Sequence, residues 1–304
     1  MAEVVFLRIV RFKKNRSEGP RTMTVEIDDL AIRAAFSQPD DDGTFHGEFA
    51  EYLAGIAKKR PVLLFAFAPK AAGTFLRTAA IAATGGQLVR AVHAQGGREA
   101  QFYLPIFIHY YYGGVCEGPM AVHVHMQAHP ANCRFIEALS LKPIVMIRSI
   151  PDMLASMLDM FVTEPEMLVE TVNCVMPKEF PEFSKERKAD FMIDMFAPWY
   201  VSYFASWLTY AAGKPETVLI LHYADLREHP AELLEKVLAH SGIPQPLAVC
   251  QAALSGTWEE RDGLRFNKGV SGRGKEYFSP EHYANLERMM ANYPVLQAWR
   301  DALL

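Results

Sequence analysis

Three clusters of side chains have the types and spacing of a site that handles anions and moves a proton. In Leu63-Leu64-Phe65-Ala66-Phe67-Ala68-Pro69-Lys70-Ala71-Ala72-Gly73-Thr74-Phe75-Leu76 an apolar run gives way to a turn of small residues around one lysine, then to a helix start. Such a turn aims backbone N–H groups and the positive end of a helix dipole at one point, where Lys70 adds a charge and Thr74 a hydroxyl; a phosphate suits it. In the second cluster, Arg148-Ser149-Ile150-Pro151-Asp152-Met153-Leu154-Ala155-Ser156, the planar guanidinium fork of Arg148 and the Ser156 hydroxyl suit phosphate oxygens. The third, His123-Val124-His125-Met126-Gln127-Ala128-His129, supplies imidazoles able to take a proton near neutrality. Strand alternation puts His123 and His125 on one face, with His129 as a second candidate base. The same three residues form HxHxxxH, a zinc-type set, but no CxxC or HExxH lies nearby and no metal is expected.

These clusters need a framework that brings loop ends together. From residue 61 onward apolar strands alternate with amphipathic helices: PVLLFAF, FLRTAAIAAT, AVHVHM, NCRFIEALS, PIVMI, PDMLASMLDMF and later TVLILHY. That alternation predicts an α/β fold, a three-layer arrangement of a mainly parallel sheet with helices on both faces. Ligands of such sheets sit at the carboxyl ends of the strands, where all three clusters fall. The segments VVFLRIVRF and RTMTVEI, with a helical DDLAIRAAF, read as an N-terminal β/helical extension over residues 1–43, leaving 44–304 as the main domain. The pattern lapses between Val162 and Lys188, which suggests a cap-like insertion around 157–195. Met195 to Gly213 carries no formal charge, yet Pro198, three tyrosines and helically spaced Trp199, Phe204, Leu208 and Ala211 make it a buried amphipathic helix, not a membrane span.

Composition sets the outer bounds. The 304 residues are 50% hydrophobic and 22% charged, enough to bury a substantial core. Thirty-one Lys and Arg against 35 Asp and Glu give a net charge of −4, so no global positive field invites nucleic acid and any anion site must be local. Four cysteines without paired spacing and a poor match to a signal peptide point to a cytoplasmic location.

A Walker A loop places lysine directly after its last glycine, whereas Lys70 precedes Gly73; and PIVMI ends in Arg148, an anion ligand, not in a metal-binding aspartate. PKAAGTFL instead resembles PKSGTTWL, the P-loop-like phosphosulfate-binding loop of the sulfotransferases that use 3′-phosphoadenosine 5′-phosphosulfate (PAPS). The same family has an arginine at a strand end with aspartate four and serine eight residues on, matching Arg148, Asp152 and Ser156. Its RKGxxGDWK loop is similar to Asn267-Lys268-Gly269-Val270-Ser271-Gly272-Arg273-Gly274-Lys275, with the leading arginine replaced by Asn267 and the tryptophan by Gly274; Arg265 or Arg273 could compensate. Its YEDL segment is similar to Tyr223-Ala224-Asp225-Leu226, so the resemblance runs over roughly residues 60 to 290 in family order.

The resemblance implies PAPS as donor, no metal, and a hydroxyl acceptor. It implies donor binding by Lys70, Ala71, Ala72, Gly73, Thr74, Phe75, Arg148, Ser156, Tyr223, Asn267, Lys268 and Gly269, with Phe75 at the position of a tryptophan beside the adenine. It also implies catalytic roles for Lys70, Ser156 and His125, which falls on the base histidine of a Lys-Thr-His-Leu-Pro segment whose lysine is His123 here. The Met- and aromatic-rich stretch 157–210, including Met157, Met160, Phe161, Met167, Trp199, Tyr200, Tyr203 and Trp207, suggests a small, partly apolar alcohol or phenol bound beneath a cap. Nucleic-acid partners are not expected; the N-terminal β segments could pair with another subunit in a homo-oligomer or cover a sheet edge. Two other classes share these features: a P-loop kinase or NTPase, and a non-catalytic nucleotide-binding protein.

Overall fold

The computed structural model describes residues 10–13, 24–27, 61–91, 102, 103, 106, 107, 110, 118–164, 174, 176–259 and 271–304. Near the N-terminus β1 (Val10–Lys13) and β2 (Thr24–Ile27) pair antiparallel, each overlapping one of the two segments read from the sequence. The DDLAIRAAF helix and the boundary near residue 44 lie outside the described residues.

The main sheet has five strands, β3 (Val62–Phe65), β4 (Gln87–Val89), β5 (Met120–His123), β6 (Pro143–Ile147) and β7 (Leu219–His222), in the spatial order β4-β5-β3-β6-β7. All four pairings are parallel. The unbroken apolar runs VLLF and PIVMI are buried at every residue, which a strand covered on both faces requires. The edge strands are less apolar: Gln87 and Leu88 are exposed in β4, and His222 in β7. β4 was not anticipated, because three residues with two of them exposed leave almost no pattern.

From β3 the chain turns through α1 (Gly73–Thr84) toward β4 on one side, whereas α2 (Pro130–Ala138) leads from β5 across β3 to β6. The order therefore reverses between β3 and β6, and the crevice beyond their carboxyl ends is where such sheets bind ligands. Helix α3 (Ile150–Thr163) follows β6, so residues 157–163 of the expected cap are its last turns; a 3₁₀ turn at Phe180–Glu182 and α4 (Lys185–Phe191) follow. A π-helical turn, Met192–Phe196, joins α4 to the aromatic helix α5 (Ala197–Gly213). After β7 come α6 (Tyr223–Glu228), α7 (Pro230–His240), α8 (Leu247–Glu259), α9 (Gly274–Tyr277) and α10 (Pro280–Met290). Helices α1, α7 and α8 pack together, and α5 packs with α3 and α10. Among the described residues no helix is long and apolar enough to cross a membrane.

Candidate active site

The turn after β3 is built by turning its carbonyls outward. Ala66 O accepts the Tyr203 hydroxyl, Phe67 O faces His125 Nδ1 at 2.6 Å, and Ala68 O accepts Ala71 N–H at 3.2 Å. Pro69 O accepts the Tyr200 hydroxyl at 3.1 Å, and Lys70 O accepts an Arg148 N–H at 2.7 Å. Five successive carbonyls are thus satisfied by groups from α5, the β5 loop, the turn itself and the end of β6, as burial of this backbone demands. The N–H side of the turn leads into α1, whose N-cap is Ala72, a residue with no side chain to cap it. The first-turn amides of a helix have no helical acceptors, and without a cap they suit an anion.

Local strain supports this shape. Lys70 and Ala72 both adopt left-handed backbone, with φ of 64° and 63°, conformations that cost a residue with a Cβ about 1 kcal/mol or more. Gly73 has another reason for being glycine: a Cβ there would lie 2.5 Å from His123 Nε2 and 2.9 Å from Phe67 Cδ2. The His123 ring therefore lies directly on the amino end of α1.

Strand β5 stops at His123, and Val124 to His129 form no regular element before α2. The His123 and His125 rings meet edge to face with centroids 5.1 Å apart. Arg77, one turn into α1, brings a guanidinium N–H to 3.5 Å from His123 Nδ1. His125 is 8% exposed, and because its Nδ1 faces the Phe67 carbonyl, that nitrogen carries the proton of the neutral ring and Nε2 the lone pair. His129 is exposed at the N-cap of α2. The segment is pinned by Trp207 Nε1–H on Met126 O at 2.9 Å and by Ala128 N–H on Ser206 Oγ at 3.0 Å.

These contacts correct one expectation from the sequence. Tyr200, Tyr203, Trp207 and Met157 are fully buried, so they do not line an acceptor surface; α5 instead clamps the β3 and β5 loops together from below. Burial pushes the Tyr203 hydroxyl well above its ordinary pKa, which keeps it a neutral donor. Phe161 is also buried, whereas Met160 is half-buried with its sulfur 3.7 Å from Lys70 Nζ, and Met167 lies outside the described residues.

Arg148 stands at the end of β6, its guanidinium 4.1 Å above the ring of Tyr223, the first residue of α6. Burial draws its pKa down, opposed by Tyr223 and Asp152, and the guanidinium keeps its charge. Ser156 is buried on α3, Ala71 is fully buried, and Thr74 is half-buried in the first turn of α1. Phe75 meets Trp258 of α8 edge to face at 5.9 Å; Trp258 is 46% exposed and went unnoticed in the sequence because nothing marks a lone tryptophan on a helix. Asn267, Lys268, Gly269 and Arg265 lie outside the described residues. Arg273 does not stand in for the missing arginine: it is buried and held by Asp159 and Tyr277. Among the described residues no group of three His, Cys, Asp or Glu side chains is placed to hold a metal ion.

A family model described as a sulfotransferase domain matches residues 116–298 of the chain. No match was found among the curated proteins. The crystal structure of mouse sulfotransferase SULT7A1 complexed with PAP superposes with a TM-score of 0.58 at 16% identity, covering 83% of this chain and 93% of that one. Retinol dehydratase in a complex with retinol and PAP gives 0.47 at 10% identity, over 83% and 86%. At 16% identity the likeness to the mouse sulfotransferase is one of fold.

Proposed function

The chain belongs to the sulfotransferase domain family, and we propose that it moves the sulfuryl group of PAPS to a hydroxyl of a small, partly apolar alcohol or phenol. The observation that carries this reading is the contact of Arg148 with the Lys70 carbonyl, which sets two anion-binding elements side by side across the β3–β6 reversal. A nucleoside phosphorylated at both its 3′ and 5′ ends needs two such elements. The amino end of α1 with Lys70 suits the phosphosulfate, and Arg148 with Ser156 suits the 3′-phosphate. Phe75 and Trp258 offer aromatic faces for the base, and Tyr223 holds the Arg148 guanidinium flat.

His125 Nε2 accepts the acceptor's hydroxyl proton as the oxygen bonds to sulfur. Lys70 neutralises the charge that collects on the phosphate oxygen as its bond to sulfur breaks, and the 3′,5′-bisphosphate leaves. Family membership supports sulfuryl transfer, and the half-buried thioether of Met160 beside Lys70 supports an acceptor with apolar surface.

The test is thermal stabilisation by adenosine 3′,5′-bisphosphate (PAP), 5′-AMP, or ATP with Mg²⁺ at equal concentration. A ligand at 100 times its Kd raises stability by about 2.7 kcal/mol, and that shift is expected with the bisphosphate alone. A response only to ATP with Mg²⁺ would replace sulfuryl by phosphoryl transfer.

A further inference from the structure

Gly73 and Arg77 lie one turn apart on one face of α1, and the His123 ring lies along that face. One edge of the ring meets the glycine, where a Cβ would come within 2.5 Å of Nε2 and 2.7 Å of Cε1. The other edge meets the arginine, with Nδ1 3.5 Å from Arg77 Nη1. Phe67 and His125 stand edge to face with the ring at centroid separations of 6.2 and 5.1 Å, so packing holds its plane.

A guanidinium has N–H donors and no acceptor, so the nitrogen that faces it must present a lone pair. A doubly protonated ring has none there. His123 therefore carries its single proton on Nε2, the nitrogen that lies against Gly73. His125 is held the opposite way: its Nδ1 faces the Phe67 carbonyl, which leaves the lone pair on Nε2. Two adjacent imidazoles thus have complementary tautomers, one able to take a proton and the other to donate a hydrogen bond. The donating nitrogen sits at the amino end of α1, where the uncapped first-turn amides already favour an anion.

We infer that Arg77 is a positioning residue for the transfer step, holding His123 in the tautomer whose Nε2–H donates to an oxygen of the sulfuryl group in flight. This rests on the PAPS reading above. The sulfur–oxygen bond to the acceptor forms and that to the phosphate breaks, His125 takes the hydroxyl proton, and His123 keeps its own. A donor already aimed at the sulfuryl oxygens lowers the barrier by meeting charge in the transition state. Arg77 is one turn further from the amino end and acts through the ring.

Two measurements on the full chain test this. Heteronuclear NMR of the imidazole nitrogens, assigned with a His123→Asn variant, is expected to show Nε2–H at His123 and Nδ1–H at His125. In Arg77→Met, which keeps the aliphatic stem without the charge, His123 is expected to become a mixture of tautomers. The rate of PAPS conversion to PAP with 2-naphthol as acceptor is expected to fall about tenfold or more in that variant. Its Kd for PAP, which lacks the sulfuryl group, is expected to stay within about threefold, and Arg77→Lys should restore most of the rate. A wild-type His123 protonated on Nδ1 overturns the role of Arg77, and that observation needs neither a folded variant nor an acceptor. So does a folded Arg77→Met that turns over like the wild type, or that loses PAP affinity in parallel with rate; the PAPS reading survives each of these. A wild-type chain that neither binds PAP nor forms it from PAPS overturns the donor reading, and the sulfuryl contact with it.

Discussion

The guanidinium of Arg148 donates to the carbonyl of Lys70 at 2.7 Å, joining the end of β6 to the strained turn after β3. One side chain thereby serves two purposes: it stabilises a left-handed lysine backbone, and it keeps its cation at the mouth of the crevice.

Replacing it should reveal both. Arg148→Lys keeps a charge but loses the planar fork and the stacking on Tyr223, so a loss of about 1–2 kcal/mol in unfolding free energy is expected from the poorly satisfied Lys70 carbonyl. Affinity for PAP should fall at least tenfold in calorimetry. Wild-type values for both quantities would show that the contact is incidental.

His125 is held by the Phe67 carbonyl in the tautomer a general base needs. His125→Ala should lower kcat by about 10²-fold or more while leaving the donor Kd within about threefold. Near-normal turnover in that variant would remove His125 from the mechanism and direct attention to His129.

Gly73 is required by sterics, not by its backbone angles. Gly73→Ala pushes a methyl into the His123 ring and should destabilise the protein by about 1–3 kcal/mol in urea unfolding, with activity falling as His123 is displaced. Trimming the ring in Gly73→Ala/His123→Ala should restore most of the stability but not the activity. A double variant as unstable as the single one would mean that the contact with Phe67, not the His123 ring, sets the cost.

Tyr203 donates to the Ala66 carbonyl deep beneath the turn. Tyr203→Phe leaves that acceptor buried without its donor, at a cost of about 1–3 kcal/mol. Because the ring is fully buried, the relative rates with different acceptors should stay as in the wild type. A changed acceptor preference would return α5 to the acceptor site.

The sequence carried the fold and the order of the motifs. Continuous apolar runs such as VLLF and PIVMI are what a strand buried on both faces requires, and PKAAGTFL and Arg148 to Ser156 mark strand ends by chemistry no core position needs. The short edge strand β4 and the π turn before α5 left no comparable trace, since three residues with two of them exposed and one altered helical turn hardly disturb a periodicity.

The roles of the aromatic helix could be decided only in three dimensions. Tyr200, Tyr203 and Trp207 have the spacing of a core stripe and equally of a binding wall; their burial beneath the backbone carbonyls of Pro69, Ala66 and Met126 makes them supports of the site. Likewise Arg273 could be read as a phosphate ligand until its pairing with Asp159, more than a hundred residues away in the chain, was visible. Local patterns encode which face is apolar and where a helix begins. Which partner satisfies a buried polar group depends on long-range contacts that packing alone brings together.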